Sequence, residues 1–330
     1  MKVITFGEVM LRLSPPGVER FVQTDSLTMH FGGTEANVAV SLAQLGLETA
    51  HVTRFPDHAL GRSAAGYLRQ YGVGTQHIRS GDGRLGLYFL ETGAGSRASQ
   101  IIYDRVDSAF SRITPNDIDW EVVLSGADWF HWTGITPALS QGAADCLLAG
   151  IQTANRLGVP VSGDIVYRSN LWQYGRTPQE IMPALTEGCT LVLGNKALFS
   201  ELYGVVGSTF IEAGRAMMKR FPTLKYITDT KRNSLSASHN ELSAKLFDGN
   251  TVHKSRVYSI QPIVDRIGTG DAYMAGLIYG LLTFNDPQRA VEFGAAASAL
   301  KHTIPGDVNL ATVSEIETLE AGDSSGKLRR

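Results

Sequence analysis

Asp265-Arg-Ile-Gly-Thr-Gly-Asp271 runs directly into Ala-Tyr-Met-Ala-Gly-Leu-Ile-Tyr-Gly280, a stretch of small and apolar residues. The run is apolar enough to pack as a buried helix over about 270–284, starting at the glycine turn. Glycines just before a helix let several backbone N–H groups converge, and the helix dipole adds partial positive charge there. The combination is an anion site suited to phosphate. Asp271 falls in the first helical turn, so its carboxylate points to the same place, where it can take a proton from a hydroxyl. Taken alone, the string also describes an ordinary helix with an acidic first turn, and the rest of the chain has to decide.

Upstream, Lys2–Phe6 reads as a buried strand ending at Gly7. A helix over 35–45 follows Gly32-Gly33 and stops at Gly46; then come a strand over 49–53 and a helix over 60–71. This alternation is that of a parallel sheet with crossover helices. The rhythm then breaks. Residues 85–91 and 100–105 are short strand-like runs joined by a glycine-rich turn, and with 10–14 and 27–31 they make a small β-layer from two separate insertions. From Asp128 the alternation resumes: strands over 128–132, 159–164, 190–193 and 225–229, a helix over 140–157, and a last helix over 286–300. The polar tail from Glu320 to Arg330 is expected to fray.

The bulk composition excludes several classes. The chain has 330 residues, 43% of them hydrophobic, enough for a large core. Thirty Lys and Arg against 32 Asp and Glu leave a net charge of −2, so no global field draws nucleic acid or an anionic membrane. Cys146 and Cys189 are far apart and in apolar surroundings, which reads as two reduced thiols in a cytoplasmic protein. No stretch reaches the roughly 18–20 apolar residues of a membrane span. Rival phosphate motifs are weak. Gly322-Asp-Ser-Ser-Gly-Lys327 is one residue short of a P-loop, and Gly93-Ala-Gly-Ser-Arg-Ala98 sits between two strands rather than between strand and helix.

The segment from Asp265 to Gly276 resembles the C-terminal signature of the PfkB (ribokinase-like) carbohydrate kinases, and Gly32-Gly33-Thr-Glu-Ala-Asn37-Val-Ala resembles their N-terminal one. The two stand in the family's order, more than 200 residues apart. The likeness spans essentially the whole chain and implies one ribokinase-like domain, a three-layer α/β/α sandwich with a β-sheet lid from segments near 10–31 and 85–105. It implies ATP and Mg²⁺, Asp271 as catalytic base, and Gly268, Thr269 and Gly270 as the anion hole. Sugar contacts would come from Gly32, Gly33 and Asn37, and nucleotide contacts from Asn195, Thr228, Lys231, Gly268 and Gly270.

Phe6–Pro16, Asp164–Trp172 and Lys301–Asp307 are more specifically similar to 2-keto-3-deoxygluconate kinases. That likeness implies sugar-acid contacts from Tyr88, Tyr103, Arg105 and Arg168. Arg12 stands where kinases of neutral sugars carry an Asp, and arginine's planar fork suits a carboxylate. The alternatives are a kinase of a neutral sugar such as fructose or ribose, and a non-catalytic sugar-binding relative. Three departures concern the cofactors. Asn195-Lys-Ala-Leu198 lacks the Glu of the family's Asn-x-x-Glu, so no protein ligand set for Mg²⁺ is assigned and the metal would rest on waters and phosphates. Thr228-Asp-Thr-Lys-Arg232 replaces the usual Thr-x-Gly nucleotide segment. Arg266 replaces the usual Thr beside Asp265, near where a monovalent cation such as K⁺ would bind. Lid strands with open edges predict a homodimer through the lid.

Overall fold

The computed structural model describes residues 1–322. The remaining tail, 323–330, and with it most of Gly322–Lys327, lies outside the described residues. The strands are β1 (Lys2–Phe6), β2 (Met10–Ser14), β3 (Thr28–Gly32), β4 (Glu48–Pro56), β5 (Ile78–Gly81), β6 (Leu87–Glu91) and β7 (Gln100–Asp104). They continue as β8 (Trp129–Thr133), β9 (Val161–Asp164), β10 (Leu191–Leu193), β11 (Tyr226–Ser236), β12 (His239–Phe247), β13 (Val252–Lys254) and β14 (Tyr258–Ile260). The helices are α1 (Thr34–Gln44), α2 (Ala59–Gln70), α3 (Trp120–Leu124), α4 (Gln141–Arg156) and α5 (Pro178–Glu187). After these come α6 (Lys196–Tyr203), α7 (Phe210–Arg220), α8 (Thr269–Thr283), α9 (Pro287–Lys301) and α10 (Val313–Glu320).

The large sheet has the order β13-β12-β11-β10-β9-β8-β1-β4-β5, with β14 beside β12. From β11 to β5 the neighbours are parallel; β12 turns back antiparallel on β11. Its central strands are apolar on both faces because helices cover both. Ile4, Phe130 and Val192 pack with Leu147, Met182 and Phe199 of α4, α5 and α6. Their strand neighbours Val3, Trp129 and Leu191 pack on the opposite face with Val38 of α1, Tyr273 of α8 and Phe293 of α9. A Cβ on Gly276 of α8 would fall 2.8 Å from Cα of Gly294 in α9, so these two glycines set how closely the helices approach.

The expected β-layer is present as a separate four-stranded sheet, β3-β2-β6-β7. Here β2 pairs antiparallel with β3 and parallel with β6, and β6 pairs antiparallel with β7. All five residues of β7 are exposed. Gly93–Ala98 lies in the β6–β7 connection, as its flanking strands predict. The 225–229 strand is longer than expected, reaching Ser236, because its polar second half pairs with β12 outside the helical layers and carries no apolar signal. Among the described residues no helix is long and apolar enough to cross a membrane.

Candidate active site

Gly268 has φ +78°, and a side chain there would collide with the carbonyl oxygen of Asp307. This left-handed residue turns the chain into α8, with Ala272 N donating to Gly268 O at 2.9 Å. The amides of Thr269, Gly270 and Asp271 therefore lie in the first turn, where the helix itself supplies no carbonyl partner. No atom lies within 4 Å of the place a Cβ on Gly270 would take, so this turn faces open space. That space is a cavity of about 450 Å³ between the large sheet and the lid.

Asp271 borders the cavity and accepts a hydrogen bond from Asn37 Nδ2 at 2.7 Å. Burial pushes its pKa up to about 8; the Asn37 hydrogen bond opposes this, while Asp164, Glu35 and Asp307 add to it. Asp164, at the end of β9, faces the same cavity, and burial raises its pKa to about 7. One of its oxygens accepts from Val166 N at 3.2 Å. A carboxyl held near neutrality and a carboxylate neighbour form a pair able to exchange a proton with a bound hydroxyl or to hold a cation.

Glu35 fixes the start of α1. Its Oε1 accepts from Thr133 N at 3.1 Å and from the hydroxyls of Thr133 and Thr136, each at 2.7 Å. Its Oε2 accepts from the Thr34 hydroxyl at 2.8 Å. The carboxylate thus clamps α1, which carries Asn37, to the end of β8. Sequence reasoning missed Glu35, Asp164 and Asp307. Each lies inside a quoted segment, and only its carboxylate chemistry next to a phosphate-type turn could have marked it.

Of the residues expected at the site, Gly32, Gly33, Asn37, Tyr88, Tyr103, Arg168, Gly268, Thr269, Gly270 and Asp271 all border this cavity. Tyr88 donates to Asp307, and its ring lies 5.9 Å from that of Tyr103. Arg168 is exposed on the cavity wall.

Five others lie elsewhere, for identifiable reasons. Arg12 is buried in β2 between Asp265, at 2.8 Å, and Asp307, at 2.9 Å, so its fork is already occupied. Arg105 is likewise held by Glu8, with Nε donating at 2.9 Å. Asn195 spends its side chain capping α6, accepting from Leu198 N at 3.1 Å. The Thr228 hydroxyl is buried against Lys245 O, at 2.8 Å, and the Tyr273 hydroxyl. Lys231 borders a second cavity of about 330 Å³ on the paired strands β11 and β12 beside Val257, and Arg232 borders both cavities.

A mostly parallel sheet between helical layers, with a small sheet over a glycine-started helix, is the ribokinase-like α/β fold. Over residues 1–312 the chain matches the model of the pfkB family of carbohydrate kinases, and it belongs to that family. A crystal structure of 2-dehydro-3-deoxygluconokinase from Thermotoga maritima superposes with a TM-score of 0.92, at 43% identity and over 98% of each chain. The 2-dehydro-3-deoxygalactonokinase of Haloferax volcanii is 33% identical over 328 residues, 98% of each chain. The 5-dehydro-2-deoxygluconokinase of Geobacillus kaustophilus is 29% identical over 301 residues, 90% of this chain and 86% of that one. The protein is therefore a carbohydrate kinase, a phosphotransferase with an alcohol group as acceptor.

Proposed function

We propose that this kinase phosphorylates 2-keto-3-deoxygluconate, using ATP, to give the 6-phosphate. The observation that carries the reading is a single cavity bordered by Asp271 at a helix N-terminus, by Arg168 on the loop after β9 and by Tyr88 and Tyr103 of the lid. A sugar acid fits between them. Its carboxylate meets Arg168 and the lid tyrosines, while its terminal hydroxyl reaches Asp271. The names of the relatives support a keto-deoxy sugar acid over a neutral sugar.

In the transfer, Asp271 takes the hydroxyl proton as the oxygen attacks the γ-phosphorus. The bond from that phosphorus to the bridging oxygen breaks, and ADP leaves with its electron pair. The amides of Thr269, Gly270 and Asp271 hold the charge on the transferring group. Lys231 and Arg232 flank the second cavity, which offers room for the nucleotide beside the first. The lid excludes water, so phosphate is not lost to hydrolysis.

Asp164, with one oxygen left toward the cavity, is the residue that fits Mg²⁺. Bound there with the ATP phosphates, the ion would neutralise phosphate charge. The exposed edge strand β7, with Ile102 and Tyr103 about half exposed, fits a second copy of the chain, lid against lid.

The deciding experiment measures ATP consumption with 2-keto-3-deoxygluconate, its galacto epimer, fructose and ribose. Preference for a sugar acid is expected. Equal or better turnover of fructose or ribose would overturn the acceptor assignment while leaving the kinase intact.

A further inference from the structure

Lys301 ends α9 and opens the Lys301–Asp307 segment, yet the reading above gives it no part. Its side chain is fully buried, 0% exposed, and Nζ donates to Ile304 O at 2.9 Å. An ammonium enclosed this way is costly unless nearby charges compensate it. The compensating groups are Asp265 and Asp307, the same two carboxylates that Arg12 bridges. Burial lowers the pKa of the ammonium, and these two carboxylates oppose that. Burial and then Arg12 lower the pKa of His30, which faces the same cluster from β3, while Asp307 and Asp265 oppose that. Asp271 acts on the ammonium from α8. Two cations thus balance two buried carboxylates directly behind a site that has to accept an anion.

The position is as telling as the charge. The Lys301 Cε lies 3.4 Å from the place a Cβ on Gly268 would take, so the chain passes immediately behind the turn that starts α8. The two loops around it are stitched together. Val264 N and Asp265 N donate to His302 O at 2.8 and 3.2 Å, and Gly306 N donates to Asp265 Oδ2 at 3.1 Å. The ammonium takes the carbonyl of Ile304 and sits in the field of Asp265 and Asp307, whose carboxylates Arg12 bridges, so the oxygens a K⁺ ion would need here are already committed. A monovalent cation near Asp265, which the resemblance leaves open, does not fit beside it.

We propose that Lys301 is a positioning residue whose ammonium is a built-in cation, holding the Asp265–Gly268 turn in place so that the kinase needs no monovalent ion there. The inference rests on reading that turn as the phosphoryl site, but its binding test does not.

The experiment compares wild type, Lys301→Ala and Lys301→Met in potassium, ammonium or tetramethylammonium chloride at matched ionic strength. Wild-type kcat is expected to stay within about twofold across the three salts, and Lys301→Ala to lose about 10²-fold in tetramethylammonium and regain roughly tenfold in potassium or ammonium. Lys301→Met, whose side chain fills the space, is expected to stay low in every salt. In parallel, melting of Lys301→Ala without nucleotide or sugar should shift upward with potassium and not with tetramethylammonium. That shift would stand even if Asp271 proved not to be the base.

The proposal is overturned if wild type loses roughly tenfold without potassium or ammonium, if Lys301→Ala is fully active in all salts, or if neither its rate nor its melting responds to cations. Should Lys301→Ala not fold, the wild-type salt comparison still decides. Dependence on potassium overturns the proposal, and indifference supports it.

Discussion

The large sheet and the lid meet at one cavity but are built on opposite terms. Every residue of β8 is buried and every residue of β7 is exposed. The sheet holds Asp271 through a core packed on both faces. The lid is fastened at its root by charge instead: Arg12 to Asp265 and Asp307, Tyr88 to Asp307, and Arg105 to Glu8. The difference separates two tasks. On the proposed reading, chemistry that tolerates little displacement sits on the rigid part, and Tyr88 and Tyr103 meet the acceptor from a part whose outer strand is exposed.

The largest effect should come from the rigid side. Asp271→Asn keeps the shape and removes the base, so kcat should fall by about 10²–10⁴-fold with the fold intact by circular dichroism. Near-normal turnover would remove Asp271 from its role. At the root of the lid, Arg12→Ala leaves Asp265 and Asp307 without their shared partner, and unfolding in urea should show a loss of about 3–5 kcal/mol. If only KM changed and stability did not, Arg12 would be a ligand contact after all.

On the loop that follows β9, Arg168→Ala should raise KM for the sugar acid by roughly tenfold with little change in kcat. An unchanged KM would cancel its assignment. At the outermost strand, Ile102→Lys should leave kcat within about twofold while shifting the sedimentation coefficient to that of a monomer. A wild type that already sediments as a monomer would discard the lid-to-lid dimer.

The pH dependence sharpens the same contrast. Asp271 works as a base only when ionised, and burial lifts its pKa to about 8. The rate kcat/KM should therefore rise with pH towards that value and fall below it. Stability has the opposite sign. The protonated carboxyl is favoured in the folded state, so this contribution is full below the ordinary carboxylate range and is lost as pH rises through about 8. Melting curves of wild type and Asp271→Asn at pH 6 and pH 9 test it. The variant should lose less between the two.

What could be read from the sequence follows from how local the signal is. The glycine turn before α8, the α1 helix after Gly33 and the strand runs of the lid are written in neighbouring residues, and they stand where expected. The arginines are different. Arg12 and Arg105 look like free carboxylate binders in one dimension, because Asp307 is 295 residues from one and Glu8 is 97 from the other. Only the fold brings those partners in and occupies the forks. Arg168, by contrast, stands exposed on a loop at the cavity wall. Thr228 shows the same limit from the other side. A hydroxyl in a polar segment suggests a ligand, yet the fold buries it under Tyr273.

The hydrogen bond from Asn37 to Asp271 joins residues 234 apart. A nascent chain leaving the ribosome holds the first half of the centre long before the second exists. No shorter fragment can pair a base with its orienting amide, so the growing polypeptide stays catalytically silent until nearly all of it has been made. On the proposed reading, competence requires α8 to be packed against α1, and α8 is made late. A circular permutant that joined the present ends and opened a loop between them would bring that packing forward, and the time at which activity appears during cell-free synthesis would report it.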